Sequence, residues 1–141
     1  MQIIRSGDVE APLRSHHMFT GHAFGQVLWE PPKKEGGVRV NLVMFEPRAR
    51  TWWHRHEAGQ VIYVTAGQGI ISHEESGTSI INPGDIIVVP AGEWHWHGAA
   101  PNTFLLHLTI NPGNEHSTGW REREVTDEEY DRLFSEAKAA S

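Results

Sequence analysis

The stretch Trp53-His54-Arg55-His56-Glu57-Ala58-Gly59-Gln60-Val61-Ile62-Tyr63-Val64-Thr65-Ala66-Gly67 decides how the chain is read. Residues two apart on an extended strand project from one face, so His54 and His56 reach toward a common point while Arg55 turns away. Gly59 lets the backbone bend, and four residues past His56 the amide of Gln60 offers an oxygen ligand. His95 arrives 35 residues after Gln60, inside Glu93-Trp94-His95-Trp96-His97. A lone His-x-His pair is more often two surface residues. Three imidazoles and an amide oxygen that converge would instead hold one divalent cation.

Outward from this stretch, short β-prone runs alternate with turn residues. Val38, Val40, Leu42 and Met44 alternate with Arg39 and Asn41. Gln60 to Val64 and Ile70 to Ser72 flank a glycine-containing connection and read as a hairpin. A turn at Glu74 to Thr78 precedes Ser79 to Ile81, and Asn82-Pro83-Gly84-Asp85 reverses the chain before Ile86 to Val89. The unbroken apolar run around Ile86 predicts a strand covered on both faces. Trp94 to His97 and Phe104 to Ile110 are the last strand candidates; Ile3-Ile4 and Gln26 to Trp29 are the first, with Pro31 to Gly37 as a loop. Thr126-x-x-Glu129 is a capping box, and Val125, Tyr130, Leu133 and Phe134 follow helical spacing. The pattern predicts an all-β sandwich or barrel with a short C-terminal α-helix, in a single domain spanning 1–141. The barrel should cover about 19–112 and the helix about 126–138.

Composition narrows the function. The 12 Lys and Arg against 18 Asp and Glu give a net charge of −6, with no basic stripe for phosphates, so no nucleic acid is expected as a partner. There is no cysteine, which excludes disulfides and thiolate metal sites. No long apolar run suits a membrane or a signal peptide, and a cytoplasmic, soluble protein is the expectation. Ten His and six Trp are concentrated together, as in a pocket with apolar walls. His16, His17, His22, His73 and His116 fall in loops or termini and are expected to be solvated.

His54-x-His56-x-x-x-Gln60-x6-Gly67 resembles the first cupin motif, and Gly84-x5-Pro90-x-Gly92-x-x-His95 resembles the second. The resemblance implies the cupin jelly-roll β-barrel and one divalent metal on His54, His56, Gln60 and His95. Three positions depart from the family pattern: Arg48 and Gln60 stand where glycine and glutamate are usual, and Ala99 where asparagine is usual. Only Gln60 touches the metal. An amide in place of a carboxylate leaves the ion its full charge, which favours Lewis acidity and disfavours the trivalent state. Such donors are compatible with Mn2+, Fe2+, Zn2+, Ni2+ or Co2+.

Glu93 to Pro101, His107, Trp120 and Val125 to Tyr130, with Phe45-Glu46-Pro47 and Ala49-Arg50-Thr51, are similar to the bacterial cupin hydroxynitrile lyases over roughly residues 19–134. That resemblance implies Mn2+-dependent, reversible, (R)-selective cleavage of mandelonitrile to benzaldehyde and HCN, with His107 as general base, and so favours Mn2+ among these ions. The competing reading of His107, amid leucines on a strand, is a packed core residue. Strand parity then places Asn41, Val43, Ile62, His97, Leu105 and Asn111 around a substrate pocket. His97, of the same parity as His95, lies behind the ligands or packs there. The alternatives are a metal-dependent dioxygenase or isomerase acting on another small molecule, and a non-enzymatic cupin that binds a small molecule or metal. Exposed sheet edges and Trp-rich strands suggest a homo-oligomer, dimer or tetramer.

Overall fold

The computed structural model describes residues 1–14, 18–32, 36–112, 118–121 and 123–141. His16, His17 and His116, and part of the Pro31 to Gly37 loop, lie outside the described residues. After a 3-10 turn at Ser6–Asp8 the elements are β1 (Phe19–Thr20), β2 (Ala23–Trp29), β3 (Val38–Phe45), β4 (Arg50–Thr51), β5 (His54–His56) and β6 (Gln60–Gly67). They continue with β7 (Gly69–His73), β8 (Gly77–Ile81), β9 (Ile86–Val89), β10 (His95–Ala99), β11 (Leu105–Pro112), β12 (Thr118–Trp120) and helix α1 (Asp127–Ala140).

The fold is all-β with one C-terminal helix, as the alternation predicts. Two antiparallel sheets form it. One, of five strands, runs β2-β3-β11-β6-β9; the other, of seven, centres on β10, which pairs β4 and β5 on one side and β7 on the other. Along β11, Leu105, His107, Thr109 and Asn111 are buried while Leu106, Leu108 and Ile110 are half-buried on the outer face. This is the period-two pattern of a sheet with one face on the core. Phe45, Ile62, Val64, Ile71, Val89 and Leu105 build the interior.

The helix covers the outer face of the seven-stranded sheet. Tyr130, Leu133 and Phe134 pack with Trp53, Ile70 and Trp96, so Trp96 fills this second core. Thr126 caps the helix by accepting from Glu129 N at 3.1 Å. Buried Arg50 ties the helix start to β4, donating to Val125 O at 3.0 and 2.7 Å and to Asp127 at 2.8 Å. Tyr130 donates from its hydroxyl to Ala99 O at 2.6 Å. Arg48 keeps the positive φ, 68°, of a position where the family motif has glycine, and its guanidinium compensates by pairing with Asp131 at 2.8 Å.

Three expectations change. β6 and β7 do not form a hairpin: β6 pairs β9 and β11 in one sheet, β7 pairs β8 and β10 in the other. Gly67, at φ 79°, carries the chain between sheets where any Cβ would collide with Phe104 O. β9 is an edge strand of the five-stranded sheet with Ile87 and Val89 turned to the core and Ile86 and Val88 exposed, not covered on both faces, because the helix covers the other sheet. Ile3-Ile4 form no strand and are exposed, since no neighbouring edge pairs with them among the described residues.

Candidate metal centre

β5 and β10 meet at the pair His54↔His95, which brings together the two histidine segments that are far apart in sequence. His54 and His56 face inward and Arg55 outward, as the spacing predicts. His54, His95 and His97 each offer a ring nitrogen, all within 4.8 Å of one another. His56, expected as the third imidazole, has its ring centroid 5.2 Å from that of His54 and 5.7 Å from that of His95. His97 thus joins the cluster more closely than strand parity alone indicated.

The same local device orients two of these rings. His54 Nδ1 donates to Trp52 O at 2.9 Å, and His95 Nδ1 donates to Glu93 O at 3.0 Å. Each bond is to the carbonyl two residues back, fixes the tautomer and leaves the Nε2 lone pair for the interior. Gln60 Nε2 donates to Asn111 Oδ1 at 3.2 Å, which turns Gln60 Oε1 toward His95 Nε2 at 3.3 Å. Two lone-pair atoms therefore face each other in a buried site, a contact that a shared cation relieves.

Burial sets the protonation. It pushes His54 and His97 well below the ordinary imidazole value, and neighbouring imidazoles push them further. Burial likewise lowers His95 and His107 to about 4. All four are neutral at physiological pH, the form that ligates a metal. The residues present therefore fit a divalent ion: neutral nitrogen donors, an amide oxygen, and backbone carbonyls holding the rings from behind.

A cavity of about 240 Å³ opens beside the cluster. His54, His56, Gln60 and His97 border it, as do Phe19, Phe45 and Trp120. Of the expected pocket residues, Asn41, Val43 and His97 line it; Ile62 and Leu105 do not, being sealed in the core at 0% exposure. Asn111 stands behind Gln60. His107, also at 0% exposure, does not border the cavity but meets His97 Nδ1 through its Nε2 at 3.1 Å. Between two neutral rings one nitrogen donates and the other accepts.

Several contributors escaped the sequence reading. Trp120 on β12 stacks against His54, with ring centroids 4.8 Å apart. β12 pairs with β5, a register no short-range pattern encodes. Arg39 also lines the cavity, and its shared parity with Asn41 and Val43 was the available signal. His73, expected in solvent, ends β7 opposite His95, because strand pairing carries it inward.

Comparison with known proteins agrees with this geometry. The Cupin domain model matches residues 41–111. An (R)-mandelonitrile lyase from Granulicella tundricola is 40% identical over 133 residues, covering 94% of this chain and 100% of that protein. An acireductone dioxygenase from a Picosynechococcus species is 38% identical over 52 residues, 34% of this chain and 30% of its own. Both of these relatives are enzymes. Among solved structures, a cupin-like protein from Thermotoga maritima has a TM-score of 0.82 at 32% identity, over 94% of this chain and 97% of its own. The polyketide cyclase RemF from Streptomyces resistomycificus has a TM-score of 0.75 at 20% identity, over 93% and 91%. With both motifs in register and a three-histidine cluster at their junction, the chain belongs to the cupin family.

Proposed function

We propose that this cupin is a metal-dependent lyase that reversibly cleaves a cyanohydrin such as (R)-mandelonitrile to an aldehyde and HCN. The supporting observation is the buried set of neutral donors without a carboxylate among the described residues of the cluster, beside a cavity with aromatic walls. In this reading His54, His56, Gln60 and His95 hold one divalent metal, Mn2+ favoured, with His97 alongside. The bound ion supplies Lewis acidity to a hydroxyl or carbonyl oxygen.

The chain's own residues do the rest. Phe19, Phe45 and Trp120 exclude water and receive an aryl group. His97 borders the cavity and takes the hydroxyl proton, His107 serves as the base behind it through their 3.1 Å contact, and as the C–C bond breaks to form the aldehyde carbonyl the pair delivers that proton to the departing cyanide, giving HCN. In the reverse direction the pair returns it. Asn41 and Val43 shape the wall opposite.

Purified protein loaded with Mn2+ should release benzaldehyde from racemic mandelonitrile; no release above buffer background with a filled site removes the reading. His107→Ala should abolish turnover while metal stays bound, and full activity would make His107 a packing residue. The dioxygenase relative supports a second reading, oxygen chemistry on another small molecule. Oxygen uptake by Fe2+-loaded protein with candidate substrates tests it.

A homo-oligomer, dimer or tetramer, forms part of the proposal. The helix covers one sheet only, and the outer face of the other shows Tyr63, Ile86 and Val88 at 39%, 64% and 68% exposure.

A further inference from the structure

Arg14 and Arg39 take no part in the chemistry above, yet both side chains line the cavity. Arg39 sits on the inner face of β3, directly opposite Asn111 on β11. Asn111 in turn accepts from Gln60 at 3.2 Å, so the guanidinium of Arg39 stands in the same cross-strand row as the proposed amide ligand. Its Nε is sheltered from solvent and makes no hydrogen bond. Exposed Glu30 makes a loose, solvent-screened ion pair with that Nε at 3.6 Å, longer than a hydrogen bond.

Arg14 comes from a different direction. The N-terminal segment runs antiparallel to β2, with Leu13 paired to Phe24 and Arg14 N donating to Ala23 O at 2.6 Å. Its side chain then lies over Gly25, where a Cβ would stand 3.2 Å from Arg14 Nε. The missing side chain at Gly25 makes the space for the guanidinium. In a chain of net charge −6, the described residues lining this cavity include two arginines and no Asp or Glu.

We propose that Arg14 and Arg39 receive the carboxylate of the molecule that enters the cavity, so the substrate class is a carbonyl or hydroxy compound that also bears a carboxylate. Its acid end lies against the two guanidinium groups, which suit a planar carboxylate, and its oxygen-bearing carbon points to the histidine cluster. The second half of that statement rests on the reading of the cluster as a metal centre; the first stands on the arginines alone.

The test is calorimetric titration of the Mn2+-loaded protein with 4-formylbenzoate and its neutral isostere 4-formylbenzamide. The carboxylate should bind roughly tenfold tighter or more. Arg39→Gln and Arg14→Gln should each shrink that ratio, the double variant should bring it near one, and Arg39→Lys, which keeps the charge but loses the planar fork, should retain only part of it. Arg39 is partly exposed, and retained thermal unfolding of each variant confirms that binding alone changed. Equal affinities in the parent, or an unchanged ratio in the double variant, overturn the proposal. The titration is repeated after chelation. A ratio that survives supports the arginines as the receptor, whereas one that vanishes assigns the carboxylate to the metal and also overturns it. A protein that takes up no Mn2+ yet keeps the ratio refutes the metal reading while supporting the arginine site.

Discussion

Acid should unfold the metal-free protein over a window set by its buried imidazoles. His95 and His107 lie near 4 when folded, against 6.5 for an ordinary imidazole, and desolvation is the main cause in both. The unfolded chain therefore binds protons that the folded chain refuses. Stability from this source is complete above about pH 6.5 and is lost as pH falls toward 4. Between pH 7.5 and 5 each of these two groups withdraws about 2 kcal/mol, hence about 4 kcal/mol together. His54 and His97, shifted in the same direction, deepen the loss. Against a total folding stability of ~5–15 kcal/mol this is a large fraction.

Guanidinium denaturation followed by tryptophan fluorescence at pH 7.5, 6 and 5, on chelator-treated protein, measures the slope. His107→Gln removes one titrating group and should flatten the loss over that interval by about 2 kcal/mol, whatever its effect on absolute stability. A variant whose pH dependence coincides with the parent's would show that His107 titrates alike in the folded and unfolded states. The desolvation argument for a neutral cluster would then fail.

Tyr130→Phe removes the buried 2.6 Å bond to Ala99 O and should cost about 1–2 kcal/mol, read as a lower thermal midpoint with an unchanged fold by circular dichroism. Gly67→Ala forces a Cβ against Phe104 O at a positive φ, and should cost more than about 4 kcal/mol or abolish soluble expression; a folded, near-parental variant would contradict the sheet crossing described here. Val88→Asp, on the exposed edge strand, should leave thermal stability intact while light scattering reports a smaller assembly; an unchanged mass removes this face as the interface.

The parts of the fold visible in sequence were those carried by local periodicity. The alternation in β3 and β11, the glycine turns and the Thr126 cap depend on neighbours only a few residues away. The motif spacing likewise placed His54 and His56 on one face. What stayed hidden was pairing. Whether β6 continues into a hairpin or crosses to the opposite sheet depends on where Phe104 O stands, 37 residues further on. The apolar run of β9 looks the same in a strand buried on both faces and in an edge with one face exposed. Ile62 and Leu105 have the inward parity expected, but parity cannot distinguish a cavity wall from a filled core. Arg14 lay outside any strand pattern, and only its bridge to β2 brings it to the cavity.

A donor set of neutral imidazoles and one amide is chemically distinct only while the site stays dry, because water would restore ordinary protonation and supply competing oxygen ligands. Part of the seal comes from outside the two cupin motifs. Trp120 closes one side by stacking on His54, and β12, which carries it, is bound to β5 through Thr118↔His56 and Trp120↔His54. The next residue, Arg121, anchors the segment: it makes two hydrogen bonds to Glu74 at 2.9 and 2.8 Å and lies 4.3 Å from the Trp94 ring centroid. Arg50 then fixes Val125, and Tyr130 locks the helix to β10. The C-terminal tail is thus tied at successive points from β5 to the outer sheet. The enclosure of the histidine cluster depends on this strap as well as on the two motifs.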